Sequence, residues 1–470
     1  MVRTIIKKEI LTNITSLRFV LTLLLVTAVF IVSGFVFVNR YKQEIDDFSA
    51  KSNENLSGLN ESANNLSSVS LYVQTIHKQP KLTQLFCEGF EKSLPNTFKT
   101  DVFSIQNPEV VGRTNFLFPR FADIDWVFII SLILSFVALL LTFDSFSAEK
   151  ERGTLSLVVS NSIPRDKVIL GKYISATLTL MIPLFVGLLI NLIIVNTSGL
   201  AISGSQWLKI ALFVGISILY LSIFLLLGIL VSSRSAKSSS SIVILLFIWV
   251  VLVMLIPAFG KIVSERFANV SARPEVDRQI NEAIREIWDN SERYGKNAGN
   301  WAGSGIPDWV NPPARSRLYN AITDARNSIN EEYISHIIAQ ANLGRNITKI
   351  SPATLYQSAS EAIIGTGVSR FRSLYDQLKR YKETLRSFII DTDKSDPDSW
   401  HLLTPGKGHR ILLSQKPVDY NAIPRFSESD ALRGEALKNA VWDVGALIFL
   451  NIFLFMAVYV SFLRCDVRQQ

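Results

Sequence analysis

The chain has 470 residues, 48% of them hydrophobic, and a net charge of +8 from 48 Lys and Arg against 40 Asp and Glu. Long uninterrupted apolar runs in such a composition exclude an ordinary soluble globule. Basic residues flanking such runs fix membrane orientation, so the positive charge argues for no nucleic-acid partner.

Residues 1–18 set Ile5, Ile6, Ile10, Leu11 and Ile14 at helical spacing, with Lys7, Lys8 and Glu9 on the other side. The pattern predicts an amphipathic helix in the membrane interface, the plainer alternative being a basic flank before a span. Residues 19–38 form the first apolar run, close to the ~20 residues a span requires. It is too long for the apolar region of a cleaved signal peptide, and no small-x-small site follows. Arg3, Lys7, Lys8 and Arg18 place the N-terminus inside. Residues 39–124 read as a polar, Ser- and Asn-rich extracytoplasmic loop, without apolar periodicity at first and folded in its second half.

The second span covers 125–143, with Ser131 and Ser135 one helical turn apart. They either line an interface or bond back to the backbone. A polar inner connector fills 144–172, and spans at 173–195 (containing Pro183 and Asn191), 208–231 and 241–259 follow. Residues 260–443 read as a large, mostly helical extracytoplasmic domain. Two amphipathic helices are legible in it. One runs through Leu318, Ile322, Ile329, Ile334, Ile337 and Ile338, the other through Phe371, Leu374, Tyr375, Leu378, Leu385 and Phe388. Long translocated domains escape the positive-inside count, so its many basic residues do not oppose this placement. The sixth span is 444–462, and Arg464 and Arg468 put the tail at 463–470 inside. Cys87 and Cys465 then lie on opposite sides of the membrane, which argues against a disulfide between them. His77, His336, His401 and His409 have no metal-ligand spacing.

The connector is unusual. A passive topology-setting loop does not need Glu149 and Glu151 on the inner face, nor Leu155, Leu157, Val158 and Val159. A short helix from Ser147 to Leu157 fits, with the acidic residues in its first turns, Gly153 and Thr154 interrupting it and Pro164 stopping its continuation. The order Glu149-Lys-Glu-Arg-Gly-Thr-Leu155, Ser162-Ile-Pro-Arg165, Leu170-Gly-Lys172 resembles the ABC-2 type permease family. Residues 80–94, 351–356, 365–367, 423–426 and 462–468 are similar to the branch with large extracytoplasmic insertions, which includes permeases of gliding-motility and copper-enzyme-maturation operons.

The resemblance implies an all-α polytopic protein with six transmembrane helices and an ABC-2, type V exporter-like fold in the bacterial cytoplasmic membrane. Two permease subunits, alike or related, would pair with two copies of an ABC ATPase, and residues 1–18 would be the elbow helix. Glu149, Glu151, Arg152, Gly153, Thr154 and Leu155, with Pro164 and Arg165 beyond, would form the coupling region. On this view Glu149 and Glu151 pair with basic residues of the ATPase, and Leu155 packs into its groove. ATP and magnesium would bind the partner, and no cofactor is expected here, because GxxxxGK[ST] is absent.

Ser131, Ser135, Asn191 and Asn451 are the candidate pathway or interface residues. Few ionisable groups interrupt the spans, which fits a lipidic or hydrophobic substrate, or none. The alternative to an exporter permease is a scaffold that passes mechanical force to an extracytoplasmic protein partner. A membrane-embedded hydrolase is disfavoured, since neither HExxH nor GxSxG occurs.

Overall fold

The computed structural model describes residues 2–109, 124–154, 164–267, 270–299, 311–399, 401, 403, 413–429 and 434–464. Six helices are long and apolar enough to cross a membrane: Leu17–Ser62, Trp126–Glu151, Arg165–Thr197, Gly204–Arg234, Ser238–Phe267 and Ala440–Leu463. The chain is an all-α multi-pass membrane protein, as its apolar runs predict. The helix Val2–Ile14 packs along the start of the third span and marks the proximal end of the bundle. Ile5 lies against Gly171, where a side chain would collide with it.

The fourth span is the hub, touching the second, third, fifth and sixth. Its apolar window is 61% buried, whereas that of the fifth span is 11% buried. Without a hydrophobic drive between helices in lipid, close approach and buried polar contacts hold spans together. Gly187 of the third span lets the Phe30 ring lie against its backbone. Asn191 Nδ2 donates to the Phe30 carbonyl at 2.9 Å, and Asn451 Nδ2 donates to the Leu219 carbonyl at 2.9 Å.

Two π-helical segments, Ile129–Leu134 in the second span and Val250–Leu255 in the fifth, have a shared logic. A π turn leaves backbone carbonyls without their usual partner, and in lipid each must find another. The Ser131 carbonyl accepts from Tyr220 Oη at 2.9 Å and also from Ser135 Oγ. The Leu252 carbonyl accepts from Ser351 Oγ, far along the chain. Trp249 Nε1 donates to Ser135 Oγ at 2.8 Å and joins the two irregular spans.

At the distal end the first helix continues past the membrane to Ser62. Its sequence after Val38 lacks apolar periodicity, and tertiary contacts hold it helical. Leu59 is buried with Leu385 and Ile389, and Asn55 Oδ1 accepts from the Thr75 amide at 3.0 Å. A three-stranded antiparallel sheet follows, β1 (Gln74–His77), β2 (Thr97–Thr100) and β3 (Ile105–Glu109), in that order, with Ile76 opposite Phe98. Ile76, Phe98 and Ile105 share one core with Ile334 of the helix Pro312–Thr348 and with Phe371, Leu374, Tyr375 and Leu378 of the helix Gly367–Asp393. The polar segments before the second span and after the fifth therefore fold together. The apolar stripes of both predicted helices face that shared interior or its neighbouring clusters.

The helix Pro352–Ile364 leaves this domain and descends among the spans. At 13 residues it is too short to cross a bilayer and has the length of a re-entrant element. Tyr356 stacks on Tyr220 at 4.6 Å, and its hydroxyl lies 2.8 Å from Ser217 Oγ. Gly365 ends the helix at φ +84°, a left-handed conformation that glycine adopts without strain.

Candidate coupling site

The short helix Ser147–Glu151 hangs from the second span at the proximal end. Ser232 Oγ of the fourth span accepts from the amides of Phe146 and Ser147 at 3.0 and 3.1 Å. These two donors open the helix and have no intrahelical partner. Phe146 is buried against the Phe462 ring of the sixth span at 4.5 Å. Gly153, at φ +66°, donates its amide to the Lys150 carbonyl and stops the helix in the left-handed region, where any side chain would be strained.

Each charge on this helix binds a different element. Glu149 Oε1 accepts from Lys172 Nζ of the third span at 2.7 Å. The same ammonium reaches Glu9 of the N-terminal helix at 3.3 Å and lies over the Phe146 ring at 5.3 Å. Lys172 is only 5% exposed, so its charge is stabilised by those two carboxylates and the ring. Lys150 Nζ donates to the carbonyls of Ser233 and Ser235, where the fourth span ends and a cation suits the helix dipole. Glu151 accepts from the amide and hydroxyl of Ser238 at 3.1 and 2.9 Å, capping the fifth span. Arg165 donates to the carbonyls of Phe462 and Leu463 at 3.1 and 2.9 Å, closing the sixth. Arg18 of the first span pairs with Asp144 at 2.8 Å.

The structure thus brings Glu149, Glu151 and Arg165 together as ties inside the chain. Arg152 and Thr154 point to solvent at the tip, and Pro164 is exposed at the entry to the third span. Leu155 and Cys465 lie outside the described residues. Sequence reasoning left Lys150 and Glu9 out of the site. The alternation Glu-Lys-Glu at 149–151 was the available signal, since opposite charges on adjacent residues point to different neighbours. Ser131, Ser135, Asn191 and Asn451 do not converge on one path; each makes a bond within or between spans. Among the described residues no group of three or more His, Cys, Asp or Glu is placed to hold a metal.

Six helices able to span a membrane, a helix packed across their proximal end and a short charged helix tied to several of them define a multi-pass membrane subunit. The chain belongs to the ABC-2 family of transporter proteins, whose model matches residues 3–467. It is a permease subunit of an ABC transporter, a class that is generally non-catalytic and works with an ABC ATPase. No curated protein is a match to the chain.

Proposed function

We propose that this permease takes its driving force from a separate ABC ATPase at the tip of the Ser147–Glu151 helix and uses it to export or extract a hydrophobic or lipidic substrate. One observation carries this reading. Through Lys172, Ser232, Ser238 and Phe462, the short helix holds the third, fourth, fifth and sixth spans at once. A displacement there reaches the whole bundle, as a rigid-body switch requires. Glu149 and Glu151 tie the helix to the spans, and its exposed residues Glu151, Arg152 and Thr154 would form the surface for the ATPase. ATP and magnesium belong to that partner. Arg3, Lys7, Lys8, Arg18, Arg234 and Lys237 gather at the proximal end, supporting a cytoplasmic placement of both termini in a bacterial inner membrane.

Arg152→Glu is expected to weaken association with the ATPase at least about tenfold, ~1.4 kcal/mol, while the permease still inserts and purifies. Undiminished co-purification of the ATPase would count against the tip as the docking point.

A second copy of the permease, identical or related, would cover the poorly buried fifth span. Phe247 on that span is 69% exposed. A cysteine there is expected to cross-link permease to permease in membranes, and a purely monomeric product would rule out pairing along this face.

A second reading has its own support. The distal domain is joined to the spans by the inserted helix and by the pairs Arg345–Glu361 and Lys349–Asp443. Motion of the bundle would then move the domain and any protein bound to it. Vesicles in which the complex hydrolyses ATP but moves no hydrophobic probe would favour this force-transmitting role.

A further inference from the structure

A cavity of about 900 Å³ lies where the fifth span meets the distal domain and the inserted helix. Its size is that of a small-molecule pocket, roughly 300–1,000 Å³. At ~1.5 Å per residue, Pro257 in its wall stands ~30 Å along the helix that starts at Ser238. That is the thickness of a hydrocarbon core, so the cavity sits at the distal boundary of the membrane. The fifth span crosses the helix Pro312–Thr348 closely there, since a side chain at Gly260 would collide with Thr348. On the same stretch of the span, Phe259 and Ile262 are 62% and 61% exposed.

The inserted helix gives the cavity a polar wall. Thr354, Gln357, Ser358 and Glu361 recur at helical spacing on the face that lines it, whereas Leu355, Tyr356 and Ala359 turn into the core of the spans. Of the described residues of this helix only Gln357 is exposed. Its amide nitrogen donates to Glu361 Oε1 at 3.1 Å, and its side-chain carbonyl is left as an acceptor for a ligand. Elsewhere Phe90, Leu94 and Ile337 present apolar surface, and Phe90 is 40% exposed. The lining carries two cations, Arg273 and Arg345, and two carboxylates, Glu265 and Glu361. Arg345 pairs with Glu361, and Arg273 pairs with Asp277 at 2.9 Å. A lining balanced in this way favours neither sign of charge in a ligand.

We propose that this cavity binds an uncharged amphiphile from the distal leaflet. A hydroxyl or amide in its head donates to the Gln357 carbonyl, and its hydrocarbon chain lies against Phe90, Leu94 and Ile337. The chain reaches the site from the lipid beside Phe259 and Ile262. This deepens the transport reading above by assigning a site and a substrate class, and it rests on that reading for its role in transport. The binding itself does not depend on an ATPase.

The test uses the full-length permease in phosphatidylcholine nanodiscs, without ATPase. The probe is a diacylglycerol with a photoactivatable diazirine in one acyl chain, and cross-linked peptides are mapped by mass spectrometry. Peptides bearing Phe90 and Ile337 are expected to take at least about tenfold more label than the peptide bearing Phe449, which is 67% exposed on the sixth span. Phosphatidylcholine carrying the same diazirine should show no such enrichment. Ile337→Trp, which fills the cavity, should abolish the enrichment. Gln357→Leu, which keeps the bulk and removes the amide, should lower it about tenfold, with the melting temperature of each variant checking its fold. Even labelling along the spans in the native protein, or enrichment that survives Ile337→Trp, would overturn the site. Equal enrichment with the phosphatidylcholine probe would overturn the uncharged class, and enrichment untouched by Gln357→Leu would overturn the recognition of the head. If diacylglycerol binds the cavity but a complex that hydrolyses ATP does not move it, the transport reading fails and the site stands. If the label misses the cavity while ATP-driven movement persists, the site fails and the transport reading stands.

Discussion

Lys172→Met is expected to uncouple the permease from its ATPase and to destabilise the proximal end by about 3–5 kcal/mol, the cost of leaving a buried charge without its partner. The ammonium sits between Glu9 and Glu149 at 3.3 and 2.7 Å. Without it, two half-buried carboxylates face each other and repel. The N-terminal helix then loses its bond to the third span, and the Ser147–Glu151 helix loses its tie to the same place. Permease-stimulated ATP hydrolysis and thermal unfolding in detergent are the measurements. Adding Glu9→Gln and Glu149→Gln removes the repulsion, so the triple variant should recover much of the melting temperature. It should not recover coupling, because the charged tie is still missing. If Lys172→Met kept native ATPase stimulation and Glu149→Gln alone abolished it, Glu149 would be serving the ATPase directly.

The second large effect is expected at the opposite end. Arg370 is 6% exposed and holds Glu91 at 2.8 Å, Glu428 at 2.8 Å and the Gln79 carbonyl. It therefore binds the segment before the second span to the helix after the fifth. Arg370→Met should cost about 3–5 kcal/mol of distal-domain stability, for the same reason as at Lys172. The pH dependence supplies an independent check. Burial pushes the Glu91 carboxyl up, but Lys78 and Arg370 more than offset it and draw it below its ordinary 4.5. Burial also raises Glu428, and Arg370 and Lys81 draw it below 4.5. A carboxyl whose folded pKa is depressed adds stability that is present above the unfolded value and is lost as pH falls through the folded one. The native domain should therefore hold its stability down to about pH 4.5 and lose it below. In Arg370→Met both carboxyls lose a cation, so the loss should begin at higher pH. A melting temperature that followed the native pH profile in this variant would show that Arg370 does not hold these groups.

Much of the architecture was legible in the residues. Each apolar run became a spanning helix, and the stripe from Phe371 to Leu385 became a buried face of the helix Gly367–Asp393. The first span illustrates the limit. Its apolar length ends near Val38, yet the helix continues to Ser62, because neighbours that arrive from elsewhere in the chain cover it. The helix Pro352–Ile364 is another case. It is a modest apolar stretch inside a polar region, and only Tyr220, Ser217 and the irregular fifth span give it a place among the membrane helices. Within the connector that the sequence singled out, Glu149 meets Lys172 and Glu151 meets Ser238, two intrachain contacts that the local sequence does not announce.

The sequence alone determined how many helices cross, which faces of the distal helices turn inward and where the charged connector lies. These are local properties. Lipid offers no hydrogen-bond partners, so an apolar stretch of sufficient length has to be a helix, and periodicity records which side is dry. Only the tertiary structure decided which carboxylate meets which cation. Lys172 finds Glu9 across 163 positions and Arg370 finds Glu91 across 279. Nothing nearby in the chain encodes such a meeting. It follows from the packing of the chain, which carries those ions out of water and brings their counter-charges together from distant segments.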